Sequence, residues 1–309
     1  MRLSNELRFP TLTALGRVFM ATPPSLGPLD TQTTDDLPRA SASNRRQVED
    51  RLKLHRHHLR ADGRDYRVIT LRPGTRARFS TNFYHETWHI LSDPHGALLL
   101  SRLLWGLSFQ RQPDTVVVID RRFIDPNPFD AEQGDPIALV PADLTHLSSR
   151  TARHLSRRVA VPGTMSGTVR WHTWSLDVAV NEWRTQRADG TWWRQWRPEE
   201  DIRAAEITRL GGLLNVRASS SLLRRWAVYV ATMHDYVYGG MSYTELDGPK
   251  GEPCRSDGEV QTFHDYHQRV SVARISRREV LAAENTPGEP AELRPLIWSR
   301  NDRGHGTHR

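Results

Sequence analysis

The stretch Thr81-Asn82-Phe83-Tyr84-His85-Glu86-Thr87-Trp88-His89-Ile90-Leu91-Ser92-Asp93-Pro94-His95 decides how the chain is read. On a helix, residues four apart lie one above the other, so His85 and His89 would share a face and could hold one metal ion. Glu86 would sit about a hundred degrees round, where it reaches a metal-bound water rather than the metal. Ser80, Thr81 and Asn82 are all good N-caps, and Pro94 cannot continue an established helix. The spacing therefore predicts a short helix carrying a His-Glu-x-x-His motif and ending near Asp93.

Downstream, Asp93 as N-cap and Pro94 in the first turn open a second helix reaching about Gln110, buried by Leu99, Leu100, Leu103, Leu104 and Leu107. Thr115 to Ile119 is a β-branched run that reads as an interior strand. Asp120, Asp125, Asp130 and Asp135 follow in a Pro-rich segment, read as turn chemistry with Mg²⁺ binding as the alternative. Leu144 to Arg158 is a basic helical stretch. Upstream, Tyr66–Leu71 and Thr75–Phe79 read as a hairpin about Arg72-Pro73-Gly74, and Asn44–Arg60 as a basic amphipathic helix.

Six of the ten tryptophans lie between Trp171 and Trp196. Trp183–Arg187 and Thr191–Trp196 flank Ala188-Asp189-Gly190, a hairpin signal. Arg184, Arg187, Trp192, Trp193, Arg194 and Trp196 would then alternate on a surface able to stack single-stranded bases, unless the rings are cross-strand pairs that hold a sheet together. Helices are expected over Glu199–Leu210 and Ser219–Tyr238, strands over Glu259–Phe263 and Val270–Ile275, and a short helix from Ser276. The fold class is α+β: a mixed sheet with the short motif helix, the Leu-rich helix and the Trp-rich hairpin region. A mobile arm is expected at 1–43, a basic helix and linker at 44–64, a globular domain at 65–284 with a sub-boundary near 160, and a disordered tail at 285–309.

At 309 residues the chain can bury a sizeable core, and no apolar run reaches membrane-spanning length. The single cysteine, Cys254, leaves no internal disulfide, which suits a reducing, cytoplasmic setting. The net charge is +7, and all but two of the 43 basic residues are arginine. That excess follows from arginine-rich codon usage as readily as from a polyanion surface.

His85-Glu86-Thr87-Trp88-His89 resembles the active-site helix of zincin metallopeptidases, and His95 stands where the metzincin branch has its third histidine. The resemblance implies Zn²⁺ held by His85, His89 and His95, with Asp235 of Asp235-Tyr236-Val237-Tyr238-Gly239 as the alternative third ligand. It implies Glu86 as general base and, from the methionine-turn-like Met241-Ser242-Tyr243, a catalytic Tyr243 acting on a peptide or other carbonyl substrate. Two alternatives stand beside this zinc-hydrolase reading. One is a non-enzymatic nucleic-acid-associated protein using the Arg/Trp hairpin and the basic helix; the other is an α/β protein binding nucleotide or Mg²⁺ at the strand ending in Asp120.

Overall fold

The computed structural model describes residues 52–158, 166–191, 205–235, 240–246, 257–283 and 289–305. The first strand, β1 (Lys53–Ala61), turns through Asp62 and Gly63 into β2 (Arg64–Thr70). Both turn residues have positive φ, +48° and +75°, the two-residue hairpin turn that an Asp-Gly pair favours. The expected basic helix at 44–60 is therefore a strand where it is described. Leu54 faces one core and Leu59 and Ala61 the other, a period of two and not of 3.6.

The Arg72-Pro73-Gly74 turn exists, closed by Thr75 N–H donating to the Arg72 carbonyl at 2.9 Å. It joins two sheets instead of two strands of one hairpin. Beyond it, β3 (Phe79–Tyr84) and β4 (Thr87–Ser92) pair antiparallel, with His85 and Glu86 as the two loop residues. The predicted motif helix is thus a β-hairpin. Aromatic and β-branched residues fill both strands, and Phe83 and Trp88 face each other across them with ring centroids 5.0 Å apart.

As expected, Asp93 caps α1 (Pro94–Ser108), its carboxylate accepting the Gly96 N–H at 2.7 Å. Gly106 lets Trp171 lie against this helix; a Cβ there would stand 2.2 Å from the indole nitrogen. The interior strand expected at 115–119 is β5 (Thr115–Ile119), wholly buried and parallel to β2. There follow β6 (Ile137–Pro141), α2 (Ser149–Arg158), β7 (Gly167–Arg170), α3 (Leu176–Ala188), β8 (Glu206–Leu210) and β9 (Leu213–Ala218). The last elements are α4 (Ser220–Thr232), β10 (Met241–Glu245), β11 (Asp257–Phe263), α5 (Tyr266–Leu281) and α6 (Pro290–His305).

Seven strands form one sheet in the order β7-β1-β2-β5-β6-β9-β8, and four form another, β10-β11-β4-β3. Both sheets are mixed, so the α+β class holds. Ile69, Val117, Leu139 and Val216 of the large sheet share a core with α1, α4 and the small sheet's Ile90 and Val260. The opposite face buries Val68, Val116, Ala138 and Val140 under α2. The small sheet's outer face carries α5 on Leu91, Phe263, Tyr266 and Val270.

Further expectations change: the helix expected over 199–210 is, in its described part, the strand β8. The Trp-rich hairpin is, in its described part, the helix α3. Ala188-Asp189-Gly190 belongs to that helix's C-terminus: Gly190 has φ +65°, and Thr191 N–H donates to the Gln186 carbonyl at 2.8 Å, the pairing of a Schellman cap. Residues 270–275, expected as a strand, and the Ser276 start of a helix both lie inside α5. The tail expected to be disordered contains α6, whose Leu293 and Ile297 pack on Val280. The arm at 1–43 and the tryptophans at 192, 193 and 196 with Arg194 lie outside the described residues. Among the described residues, no helix is long and apolar enough to cross a membrane.

Candidate functional site

The structure does not bring the zinc-ligand set together. His85 and Glu86 occupy the hairpin turn with φ +50° and +63°, both exposed. His89 is on β4, and four residues of extended chain span up to about 13 Å, twice the helical separation the motif needs. His95 is exposed in the first turn of α1. Among the described residues, no group of three or more His, Cys, Asp or Glu is placed to hold a metal ion. The zincin resemblance is overturned: without a helix, the four-residue spacing no longer stacks the two histidines one turn apart, and His85 sits in the hairpin turn while His89 is on the strand. Asp235 receives both arms of Arg184 at 2.8 and 2.9 Å, so the alternative ligand is already ion-paired. Tyr243 is exposed on β10 opposite Gln261, in a strand rather than a turn beneath a metal. Arg187 lies over the Trp183 ring at 6.0 Å, and Trp183 packs on Tyr229.

His89 has a different role. Its Nδ1 hydrogen-bonds the Asn82 side chain at 2.8 Å, and its Nε2 lies 3.7 Å from the Glu259 carboxylate. Burial, and secondarily the neighbouring His85, push its pKa down to about 4. Burial likewise raises the Glu259 carboxyl above its ordinary value. Asn82, His89, Glu259 and Glu245 are register partners, one from each strand of the small sheet. The spaced acids are occupied too: Asp120 pairs with Arg122, Asp125 with Arg274, Asp130 with Arg294 and Asp135 with Arg209.

What the fold does assemble is an arginine surface on α2. This helix reads Ser-Arg-Thr-Ala-Arg-His-Leu-Ser-Arg-Arg, with no acid. Thr151, Ala152 and Leu155 are buried in the core, which sends Arg150, Arg153, Arg157 and Arg158 to solvent. Ser148 caps it, accepting the Thr151 N–H at 3.0 Å. Two hairpin turns then fix it. At the β1–β2 turn, Asp62 accepts hydroxyl hydrogen bonds from Ser148 at 2.6 Å and Thr151 at 2.8 Å, which hold its carboxyl below the usual range. At the β8–β9 turn, Gly211 packs so closely that a Cβ would stand 2.5 Å from the Ser149 carbonyl oxygen and 2.6 Å from the Arg153 nitrogen.

Two open grooves flank the pinned helix. One, of about 400 Å³, is lined by Arg60, Asp62, Arg150, Arg153, His154 and Arg157. The other, of about 590 Å³, is lined by Arg121, Arg153, Arg157 and Arg209 with Ser156 and the Gly211–Gly212 turn. Arg153 and Arg157 belong to both. Among the described residues Arg60, Arg121, Arg153 and Arg157 make no ion pair, whereas Arg209 is held by Asp135 at 2.7 Å. Among the described residues, neither groove is lined by a Phe, Tyr or Trp ring. The sequence signal for this surface was the run of four arginines without an acid in residues 149–158. Compared with the models of known families, with curated proteins and with solved structures, the chain matches none.

Proposed function

We propose that this protein binds nucleic acid through the arginine surface of α2, contacting the sugar-phosphate backbone without reading bases. The observation that carries the reading is the pair of open, arginine-lined grooves that meet along Arg153 and Arg157. Guanidinium forks suit phosphate oxygens, and arginines with no ion pair among the described residues have their donors available for them. The described lining of both grooves carries guanidinium groups and no Phe, Tyr or Trp ring for a base to stack on, so the proposed affinity rests on charge. A lipid surface is a poorer fit, because the apolar side of α2 is already spent on the core. This differs from the surface expected from sequence: α2 and its flanking turns take the place of the Trp-rich segment, and of residues 44–60 only Arg60 lines a groove.

The test is fluorescence anisotropy with duplex and single-stranded oligonucleotides over a salt series. If Arg60, Arg121, Arg153 and Arg157 each displace a counterion, log K against log salt should slope at about −3.6 on duplex and about −2.8 on single strands. Arg153→Ala should weaken every sequence alike and flatten the slope by about one. No binding at low salt, or a slope near zero, would remove the proposal.

A further inference from the structure

The two grooves beside α2 are not equivalent in charge. The first contains Asp62, whose carboxylate lies 3.5 Å from Arg150. The second is lined by no acid, and its one compensated arginine, Arg209, is satisfied by Asp135 from outside the lining. That leaves the guanidinium groups of Arg121, Arg153 and Arg157 around one recess, about three positive charges with no acid opposite them among the described residues. They come from two elements: Arg121 from the short 3₁₀ turn after β5, the other two from one face of α2. The close packing of Gly211 on the backbone at 149 and 153 sets how near the turn lies to the helix that carries Arg153 and Arg157.

A phosphodiester inside a strand brings one negative charge and two free oxygens. It could satisfy one of these forks and would leave the others repelling each other. A phosphate monoester carries about −1.5 to −2 at neutral pH and offers three oxygens, one for each guanidinium. A polyphosphate brings more of both. Gly211 and Gly212 add no side chain to the recess, so a bulkier terminal group meets backbone there.

We infer that the groove between α2 and the β8–β9 turn is a subsite for a terminal phosphate monoester or polyphosphate, held by Arg121, Arg153 and Arg157. The inference rests on the backbone-binding reading of α2 and adds a preference to it. The same chemistry is offered by the 5′ end of a nucleic acid and by a free nucleotide or polyphosphate. The experiment separates them.

The full chain is titrated with one single-stranded oligonucleotide bearing a 5′-hydroxyl, a 5′-monophosphate or a 5′-triphosphate, and separately with inorganic tripolyphosphate. The expected result is roughly tenfold tighter binding of the 5′-monophosphate than of the 5′-hydroxyl, the gain of one further charge-assisted contact, with the triphosphate tighter still. Arg121→Ala should cancel that preference, with 5′-hydroxyl binding weakened only by the one lost backbone contact, and Arg60→Ala, in the other groove, should weaken all three ligands in proportion and keep the preference. Unchanged thermal melting of both variants keeps the comparison one of binding. Equal affinity for all three 5′ ends, with salt-sensitive binding retained, overturns this inference and leaves the backbone reading standing. Tripolyphosphate binding that Arg121→Ala abolishes, with no oligonucleotide bound, supports the subsite and overturns nucleic acid as its source. Binding of none of these overturns both.

Discussion

Gly211→Ala offers the most direct test of how the arginine surface is held. The residue sits at φ +59°, where an L side chain costs about 1–2 kcal/mol. Its new Cβ would also stand 2.5 Å from the Ser149 carbonyl oxygen and 2.6 Å from the Arg153 nitrogen, both backbone atoms that cannot rotate away. Relief requires α2 to shift from the sheet or the turn to deform, an overpacking cost of about 1–3 kcal/mol. The total expected is about 2–5 kcal/mol. Gly212→Ala is the control: its φ is +84°, yet a Cβ there meets nothing within 4 Å, so only the conformational term applies. Because φ +84° lies farther from the left-handed minimum than +59°, that control overstates the strain and makes the comparison conservative. Urea unfolding of both variants isolates the helix contact as their difference, about 1–3 kcal/mol in favour of Gly212→Ala. Oligonucleotide affinity should fall further in Gly211→Ala, since the displaced helix carries Arg153 and Arg157. If the two variants unfold at the same urea concentration, the turn does not brace α2 and the reasoning fails.

Replacing His85-Glu86 by Asn-Gly should stabilise the protein by about 1 kcal/mol in urea melts, because both loop residues hold positive φ; a helix at this position would instead lose about that much through the glycine. Ser148→Ala removes the cap of α2 and one hydroxyl donor to Asp62, and should cost about 1–2 kcal/mol in the same assay; a loss under 0.3 kcal/mol would mean the cap is idle. His89, with its pKa near 4 in the fold, takes up its proton at higher pH when unfolded than when folded. Its contribution to stability is whole above the unfolded value of about 6.5 and is lost as pH falls from there towards 4. Glu259, raised by burial, acts in the opposite sense above the ordinary carboxyl pKa, so the imidazole is best followed by its own NMR shift. A His89 midpoint above 6 would contradict the buried geometry.

Signals that act through local backbone chemistry were legible in the chain. Asp93-Pro94 started α1 where expected, its leucines buried it, and the β-branched run at 115–119 became an interior strand. Signals that serve two structures were not. A histidine pair four apart fits one face of a helix, but residues four apart also share a face of a strand, and the aromatic and β-branched neighbours favour the latter. Ala188-Asp189-Gly190 marks a glycine at positive φ, which a hairpin and a Schellman cap both require. The 53–61 segment was read from apolar positions at helical spacing among arginines, although Asp62-Gly63 marks the turn into its neighbour β2; its other partner, β7, lies more than a hundred positions away. As for the candidate site, the arginines of α2 were visible, but an average over the whole chain hid them. Charge density per helix, counted against local acids, was the informative quantity. The groove itself was not legible, because Arg121 and the Gly211 turn join α2 only through the tertiary fold.

The parallel pairing of β4 with β11 joins residues 87–92 to residues 257–262, about 170 positions apart. On a ribosome adding roughly 5–20 residues each second, β4 would wait on the order of ten to thirty seconds for its neighbour to be made. Throughout that interval the β3–β4 hairpin shows an unpaired edge and carries Phe83 and Trp88 on one side with Leu91 on the other. Termination anywhere before residue 257 would make the exposure permanent. For this protein, then, the timing of synthesis governs how long a sticky edge stays open, and early stops would be read by the cell as aggregation rather than as partial function.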